Sequence, residues 1–277
     1  MCLLPIPKGS GYGLDLDLTG VALGADVALG SNSSGLGSAP AQGQWRLGAL
    51  FNVGSGTVDG TGAGAAIDND FEYWDLGAYM AYQAGSLTLV GDLSYTAVDN
   101  DLSGMTNLGS VSATSDSTSL SLGVTSKLDF ELNDLTLSPH VGLRYNHIEV
   151  DDYDVTGKGG QQYFSFTARS IDVISIPLGV MLSTEITSAE WTVQPALDLT
   201  VTPIFGDHDL KGDVRWSGIA DRVYPTVTEV LDELTYSASL GLEASSISGI
   251  SLGLGLNYTG SSHTDEFIVQ AHASLIF

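Results

Sequence analysis

Apolar and polar side chains alternate with a period of two along most of the chain, and the clearest case is residues 267–277. The apolar face of this stretch consists of Phe267, Val269, Ala271, Ala273, Leu275 and Phe277. Gln270, His272 and Ser274 lie on the other face, because successive side chains of a strand point to opposite sides. The stretch is about as long as a tilted strand that crosses a bilayer, roughly 9–11 residues. It predicts a membrane-spanning strand with an aromatic residue at its end.

The same alternation recurs in about eleven segments from Tyr12 onward, and each has an apolar face of similar width. No run approaches the ~18–20 consecutive apolar residues of a membrane helix. Only helices and closed barrels satisfy every backbone group in lipid. A soluble sandwich of this length would have about half as many strands. The predicted fold is therefore all-β, a transmembrane antiparallel β-barrel.

The connections between segments are of two kinds. Short turns are predicted at 84–85, 133–134, 187–188 and 248–249, and long polar loops at 59–70, 99–117, 151–162 and 206–231. In bacterial barrels the short turns face the periplasm. In the segment 163–186 the alternation changes phase between Val173 and Ile174, which predicts a β-bulge there.

Aromatic residues cluster at both ends of the segments. Trp45, Tyr82 and Trp191 lie next to short turns, and Trp74, Tyr95, Tyr145 and Tyr258 lie next to the long loops. This distribution predicts one aromatic girdle at each water interface.

The polar face predicts a hydrated lumen. Its charged members are Asp26, Arg46, Asp75, Asp92, Lys127, Arg144, Asp198 and Glu243. Two interpretations are open for them: they hydrate a channel, or they contact a helix held inside it.

Charge and composition exclude several functions. The 277 residues include 9 Lys+Arg and 33 Asp+Glu, for a net charge of −24, and nucleic-acid binding needs the opposite balance. A single cysteine, Cys2, excludes an intramolecular disulfide and a thiolate metal site. The acidic pair Asp151-Asp152 lacks EF-hand spacing, so a solvated surface is predicted and no metal or cofactor.

The number of strands predicts that one strand is missing. Bacterial single-chain barrels have an even number, whereas eleven segments are readable here. Residues 1–11 are interpreted as a truncated or non-native leader and residues 12–277 as the barrel domain, with a further strand expected upstream of Met1. The alternative is that residues 1–20 fold back irregularly.

Eight segments in order resemble the translocator domain at the carboxy terminus of autotransporters, the type V secretion proteins of Gram-negative bacteria. They are T-G-V-A-L-G-A-D-V-A-L-G (19–30), W-R-L-G-A-L-F (45–51), F-E-Y-W-D-L-G-A-Y (71–79), L-S-P-H-V-G-L-R-Y (137–145), I-P-L-G-V (176–180), L-D-L-T-V-T-P-I-F-G-D (197–207), Y-S-A-S-L-G-L-E-A (236–244) and the terminal strand.

The resemblance implies a twelve-stranded barrel in the outer membrane, in contact with lipid and lipopolysaccharide. It also implies a linker helix through the pore and an exported amino-terminal passenger. The barrel-assembly machinery would recognise the terminal strand from Phe267 to Phe277. Some members cleave their own linker with an acidic residue and an Asn, for which Asp26 or Asp198 would be candidates here.

Two alternatives to an export function are open. One is a porin-like or structural barrel. The other is an outer-membrane hydrolase, built on Ser261, Ser262, His263 and Asp265 or on Asp207, His208 and Asp209. Adjacent loop residues do not by themselves give the geometry of nucleophile and base, so solvated loops and no enzyme are predicted.

Overall fold

The computed structural model of the protein describes residues 12–29, 43–62, 67–106, 109–218, 222–262 and 264–275. These residues form one antiparallel sheet of eighteen strand segments. The segments are β1 (Tyr12–Leu29), β2 (Gln44–Gly62), β3 (Ile67–Ala84), β4 (Leu87–Thr106), β5 (Gly109–Leu128), β6 (Phe130–Leu132), β7 (Leu135–Val150), β8 (Tyr153–Gly157), β9 (Gln162–Ala168), β10 (Ile171–Ser175), β11 (Leu178–Thr184), β12 (Ile186–Thr187), β13 (Trp191–Gly206), β14 (Asp209–Trp216), β15 (Val223–Glu229), β16 (Leu234–Ser246), β17 (Ile250–Gly260) and β18 (Asp265–Leu275). No helix in this part of the chain is long and apolar enough to cross a membrane.

Among the described residues, eleven strands make up the wall, as the alternation predicted, and two of them are divided into shorter segments. β5 and β6 are one strand interrupted at Asp129, and β10, β11 and β12 are one strand interrupted at Ile176–Pro177 and Glu185. Each wall strand pairs with its neighbours in the order β1, β2, β3, β4, β5–β6, β7, β10–β12, β13, β16, β17, β18. Four segments lie outside the wall, because β8 and β9 form one hairpin and β14 and β15 another.

The phase change near Val173 is not a bulge, and that prediction is wrong. Ser175 faces Arg144 and, three residues further along each strand, Leu178 faces Val141, so the register with β7 is unchanged. The ladder pauses at Pro177, which has no N–H to donate. What changes is the side that is apolar. Val173 is buried inside the sheet, whereas Ile174 and Leu178 are exposed on its outer face.

The predicted long loops are wrong over most of their length, because the backbone there continues as strand. β4 runs to Thr106 and β5 starts at Gly109, so the stretch predicted as the loop 99–117 is a hairpin. In the same way β2 and β3 pair as far as Asp59 and Asp68. The outward side chains become acidic here, which interrupts the apolar pattern but leaves the backbone pairing intact. β8–β9 and β14–β15 fill most of the remaining two loops, and β9 pairs with β14.

The short turns are close to their predicted positions. The turn at 133–134 has Asn133 in the left-handed region, with φ 57°. Ala84 is the last residue of β3, so the first turn is Gly85-Ser86, one residue later than predicted, and Gly85 has φ 58°. Residues with a side chain rarely adopt this φ, which explains glycine at that position. We call the end of the wall with the short turns the inner side and the end with the hairpins the outer side. The outer face of the sheet is the surface that points away from the lumen.

The buried core lies at the outer end of the wall, inside the sheet. One cluster comprises Val58, Phe71 and Val98. A second comprises Ile148, Ile171, Val173, Leu210 and Val230, and therefore joins the wall to β14, which contains Leu210, and to Val230, which follows β15. Nearer the inner side the large apolar residues lie on the outer face instead, where Leu23 is 69% exposed and Leu254 60%. Such a face is suited to lipid.

The two edges of the wall run in the same direction. β1 begins at Tyr12, opposite Gly62 on the outer side, and ends at Leu29 on the inner side. β18 also starts on the outer side and ends on the inner side, where Leu275 faces Ile250. Within the described residues β1 pairs only with β2, and β18 only with β17.

Candidate functional site: the lumen

The inward faces of the wall strands enclose two cavities, one above the other. The inner cavity has a volume of about 1230 Å³ and is lined by residues from β5, β7, β11, β13, β16, β17 and β18. The outer cavity has a volume of about 730 Å³. Because strands from opposite parts of the sheet line the same space, the sheet is curled with its polar face inside.

Arg144, which lines the outer cavity, illustrates how polar side chains cross the wall. Its guanidinium Nη2 lies 2.8 Å from Asp92 Oδ2, and Nη1 donates to Ser121 Oγ at 2.7 Å. Asp92 and Arg144 are two strands apart, and Gly123 lies between them in the same cross-strand row. A Cβ at Gly123 would be 2.7 Å from both Arg144 Nη2 and Asp92 Oδ1. A side chain at Gly123 would therefore displace one or both ends of this ion pair.

Three further rows repeat this arrangement, with a glycine between two polar side chains. They are Tyr79–Gly48–Asp26, with 2.8 Å between the phenol oxygen and Oδ2; His140–Gly179–Thr200, with 3.1 Å between Nε2 and Oγ1; and His272–Gly253–Glu243, with 3.0 Å between Nε2 and Oε2. The four rows are spread around the wall, so side chains that lie flat on the sheet link four pairs of strands across the strand between them: β1 and β3, β4 and β7, β7 and β13, and β16 and β18.

The structure places all eight charged residues predicted for the lumen on the inward face, each with a polar neighbour. Arg46 Nη1 is 3.5 Å from Asp26 Oδ2. Asp75 accepts a hydrogen bond from Thr96 at 2.9 Å. The other contacts not yet given are Lys127 Nζ to Asp129 Oδ1 at 3.3 Å, Thr200 Oγ1 to Asp198 Oδ1 at 2.7 Å, and His140 Nδ1 to Asp198 Oδ2 at 3.6 Å.

Sequence reasoning missed the partners of these charges and the glycines between them. The alternation did not identify Tyr79, His140 and His272 as partners of these charges, and Ser138, which donates to Asp129 at 2.6 Å, was not singled out. The usable signal was the recurrence of Gly on the polar face of the strands. Gly on this face marks the rows in which a side chain can cross to the second strand.

Charge is distributed unevenly around the inner lumen. Arg46, Lys127 and Arg144 all belong to the wall from β1 to β7. The sequence has no Lys or Arg in residues 170–206 or 234–277. The acids on that part of the wall, Asp198 and Glu243, therefore pair with histidines, and Glu185 accepts a hydrogen bond from the Gln194 amide.

The outer cavity differs from the inner one because its walls are mainly apolar. The cluster of Val58, Phe71 and Val98 lies on one side of it, and Leu210 and Val230 lie on the other. Serine and asparagine side chains of β3, β4 and β5 also line it, together with Asp75 and with Arg144 and Asn146 of β7. The β14–β15 hairpin thus covers part of the lumen from the outer side.

The predicted girdle residues lie on the outward face in two groups. On the inner side Trp45 contacts Tyr82, with ring centroids 4.7 Å apart. On the outer side Trp74 contacts Tyr95 at 5.4 Å, and Tyr236 contacts Tyr258 at 6.2 Å. Tyr145 also lies on the outer side, 39% exposed, and Trp191 starts β13 on the inner side.

The exposed surface just beyond the outer girdle carries a small charged cluster. His147 Nδ1 lies 2.8 Å from Asp172 Oδ1, and His147 Nε2 lies 3.1 Å from Glu149 Oε1. Hydrogen bonds to Asp172 and then Glu149 raise the pKa of His147. Hydrogen bonds that Asp172 accepts from Tyr145 and His147 lower the pKa of Asp172.

The terminal strand β18 pairs with β17 over its whole length, from Asp265 opposite Gly260 to Leu275 opposite Ile250. Phe267 is 65% exposed, Val269 66% and Leu275 60%, and Ala271 and Ala273 are exposed on the same face. Phe277 lies outside the described residues. The strand therefore presents an apolar outer face and one edge without a partner among the described strands.

Several residues considered for a hydrolase are engaged in turn and loop contacts, whereas His208 Nδ1 is buried without a hydrogen-bond partner. Ser262 donates to Asp232 at 2.5 Å, and Ser261 donates to the Thr264 carbonyl at 3.2 Å. His263 lies outside the described residues. In the other loop the backbone of Asp207 donates to the Asp172 carbonyl at 2.9 Å. Among the described residues no group of three or more His, Cys, Asp or Glu could hold a metal ion.

Eleven antiparallel strands with an apolar outer band, two groups of interfacial aromatics and a polar interior define a transmembrane β-barrel of the bacterial outer membrane.

Comparison with known proteins identifies the family. The model of the autotransporter β-domain matches residues 7–257, so the chain belongs to that family and is an outer-membrane translocator domain. No curated protein matches the chain significantly.

Solved structures of the same fold are autotransporter domains. The β domain of BrkA from Bordetella is 16% identical, with a TM-score of 0.69, over 96% of this chain and 93% of that chain. The translocator domain of NalP from Neisseria meningitidis is 17% identical, with a TM-score of 0.66, over 95% and 82%. The transport unit of AIDA-I from Escherichia coli is 13% identical, with a TM-score of 0.68, over 99% and 86%.

Proposed function

We propose that the lumen holds a linker segment that connects the barrel to a passenger at the cell surface. The observation that carries this proposal is the pair of stacked cavities, of about 1230 and 730 Å³, which extend through the interior of the wall. The acidic side chains around the inner cavity would favour a linker with Lys or Arg on the face turned toward Asp198 and Glu243.

The barrel would be closed by one further strand. β1 and β18 both run from the outer to the inner side, so a direct pairing between them would be parallel. A strand running from the inner to the outer side would pair antiparallel with both, and the wall would then have an even number of strands. The equal direction of the two edges supports this twelfth strand, which would precede Tyr12 in the chain.

The terminal strand would act as the signal for the barrel-assembly machinery. Its exposed residues Phe267, Val269 and Leu275, together with Ala271 and Ala273, give one apolar face beside an unpartnered edge. A strand edge of this kind can be recognised by strand addition. Phe277 would complete the apolar face. The two aromatic groups would lie at the lipid interfaces, the outer one at the level of lipopolysaccharide.

The domain would export and anchor without catalysing a reaction. Asp26 and Asp198, the candidates for linker cleavage, are already bonded to Tyr79 and to Thr200. No second function is favoured by a specific observation.

The test is to sequence the gene upstream of Met1 and express the whole gene. We expect a signal sequence, a passenger, a linker and one amphipathic strand, and we expect antibodies to label the passenger on intact cells. Deletion of residues 265–277 should abolish labelling. A start codon and signal sequence within a few dozen codons of Met1 would exclude an exported passenger.

A further inference from the structure

We infer that the barrel wall opens locally along one line, where the strand β10–β12 pairs with β13, and that the lumen widens there during export. We call this line the proline seam, because Pro195 and Pro203 of β13 lie on it. The widening rests on the proposed export function, whereas the local opening follows from the backbone pairing alone.

Prolines are concentrated in one part of the wall. β7 contains Pro139, the strand β10–β12 contains Pro177, and β13 contains Pro195 and Pro203. The other eight wall strands have no proline within the described residues. Proline is rare in the middle of a sheet, because it has no N–H to donate to the ladder. Three neighbouring strands therefore differ from the rest of the wall in their backbone pairing.

Pro203 lies at a position where both backbone groups normally bond. The backbone N–H of Ile176 donates to the Pro203 carbonyl at 3.0 Å. Such a pair of antiparallel residues exchanges two hydrogen bonds, but the second would need an N–H on Pro203. On the other side of the same strand the N–H of Gly142 donates to the Pro177 carbonyl at 2.8 Å, and Pro177 cannot return the bond. Each pair thus has one of its two bonds.

Pro195 removes a second bond from the proline seam. The register between β10–β12 and β13 is continuous and places Pro195 opposite Thr184. This pair lies eight residues along each strand from the pair of Ile176 and Pro203. Because bonded and non-bonded pairs alternate, Thr184 and Pro195 also form a bonded pair, which lacks the N–H of Pro195. The seam therefore lacks one bond near its outer end and one near its inner end.

Side chains across the proline seam do not replace the missing bonds with Lys or Arg ion pairs. The sequence has no Lys or Arg in residues 170–206, which include both strands. The amide of Gln194 donates to Glu185 across the seam at 3.0 Å, so the donor there is neutral. Elsewhere in the wall the guanidinium of Arg144 pairs with Asp92 at 2.8 Å.

The pairing of β3 with β4 provides the comparison within the wall. It runs without a proline from Ile67 opposite Gly104 to Ala84 opposite Leu87. Proteins open locally where the fewest interactions must be broken. The proline seam is therefore the line that opens first, whereas β3 and β4 remain paired.

Hydrogen exchange of the full chain in nanodiscs, followed by mass spectrometry, tests the local opening. We expect amides of residues 178–184 and 196–202 to exchange about ten-fold faster than those of 76–82 and 89–95. The double variant Pro195→Val, Pro203→Val supplies both missing donors and should remove most of this difference. Pro203→Val alone serves if the double variant does not fold. Pro225→Val, in β15 outside the wall, is the matched control and should leave the difference unchanged.

Two results of the exchange experiment overturn the local opening. One is equal exchange in the two pairings of the unchanged protein. The other is a folded variant with both donors restored in which the proline seam exchanges as fast as before.

A disulfide across the proline seam tests the widening. Ser183 and Ala196 face each other across it, and both line the inner cavity. Directly opposed residues of this kind are close enough for a disulfide. In the whole gene with Cys2→Ser, we expect the oxidised variant Ser183→Cys, Ala196→Cys to lose passenger display and a reductant to restore it. The control is Ala81→Cys, Val90→Cys, which links β3 to β4 and should leave display unchanged.

The two experiments separate the seam from the export function. Undiminished display with the oxidised disulfide across the proline seam would overturn the widening. Absence of display from the unchanged whole gene would contradict export instead, and the exchange experiment would still decide whether the seam opens.

Discussion

The inner and outer halves of the lumen are built in opposite ways from the same strands. In the inner half, polar side chains such as His272 lie across glycines inside the wall, and the apolar side chains face outward. In the outer half, Phe71 and Ile171 pack inside, and acids such as Asp70 and Asp101 lie opposite each other on the outer face. The difference teaches that the surrounding medium, lipid or water, decides which face of a strand is apolar.

The strongest way to break the polar part of the lumen is to fill a glycine row. Gly123→Leu should prevent Arg144 from reaching Asp92, because even a Cβ there is 2.7 Å from both side chains. We expect partial loss of the folded barrel, because the ion pair is lost and both side chains must also move, seen as a weaker folded band in electrophoresis without heating. Gly241→Leu is the control, since a Cβ at this glycine has no heavy atom within 4 Å. Equal loss in both variants would contradict the importance of the row.

The outer half should respond instead to removal of apolar contacts. Leu210 is 6% exposed and packs in the second buried cluster. Leu210→Ala should destabilise the β14–β15 hairpin by about 2–4 kcal/mol, and faster amide exchange in β14 and β15 would show it. Exchange in β16 and β17 should not change. Val227→Ala, at a position 64% exposed, should have almost no effect.

A smaller effect is expected when one ion pair is broken without steric change. Arg144→Met leaves Asp92, 25% exposed in its side chain, without its cation. Because the pair is partly solvated, we expect a loss of about 1–2 kcal/mol in the free energy of unfolding. A double-mutant cycle with Asp92→Leu measures the coupling. Coupling near zero would show that the row acts through packing alone.

The smallest effect concerns the charged cluster beyond the outer girdle. Its carboxylates raise the pKa of His147, so protonated His147 stabilises the folded state. That contribution is complete below the unfolded pKa of about 6.5 and is lost as pH rises through the higher folded value. His147→Gln should remove this dependence, measured as the urea midpoint between pH 6 and 9. If the urea midpoint of the variant depends on pH as it does in the unchanged protein, other groups are responsible for that dependence.

The alternation of the sequence was sufficient to predict eleven strands and the inner turns. It was not sufficient for the outer half. There the acids at Asp70 and Asp101 resemble loop residues, because a pattern of side chains does not show that the backbone remains paired. The partners of the charges were also missed, since contacts such as that from His272 to Glu243 span residues that only the register brings together. The positions of glycines such as Gly253 could be read from the sequence, but the contacts that they allow between their neighbours could not.

The register is unbroken at Val173, although the apolar residues move from the inward to the outward face of the strand there. The position of this change along a strand therefore indicates where the bilayer ends. Ile174, the first apolar residue on the outer face, lies opposite Tyr145 of the outer girdle on the neighbouring strand. The level of the membrane surface can thus be traced from strand to strand along the sequence. A variant that moves the change by two residues should shift the whole domain vertically by about 5 Å.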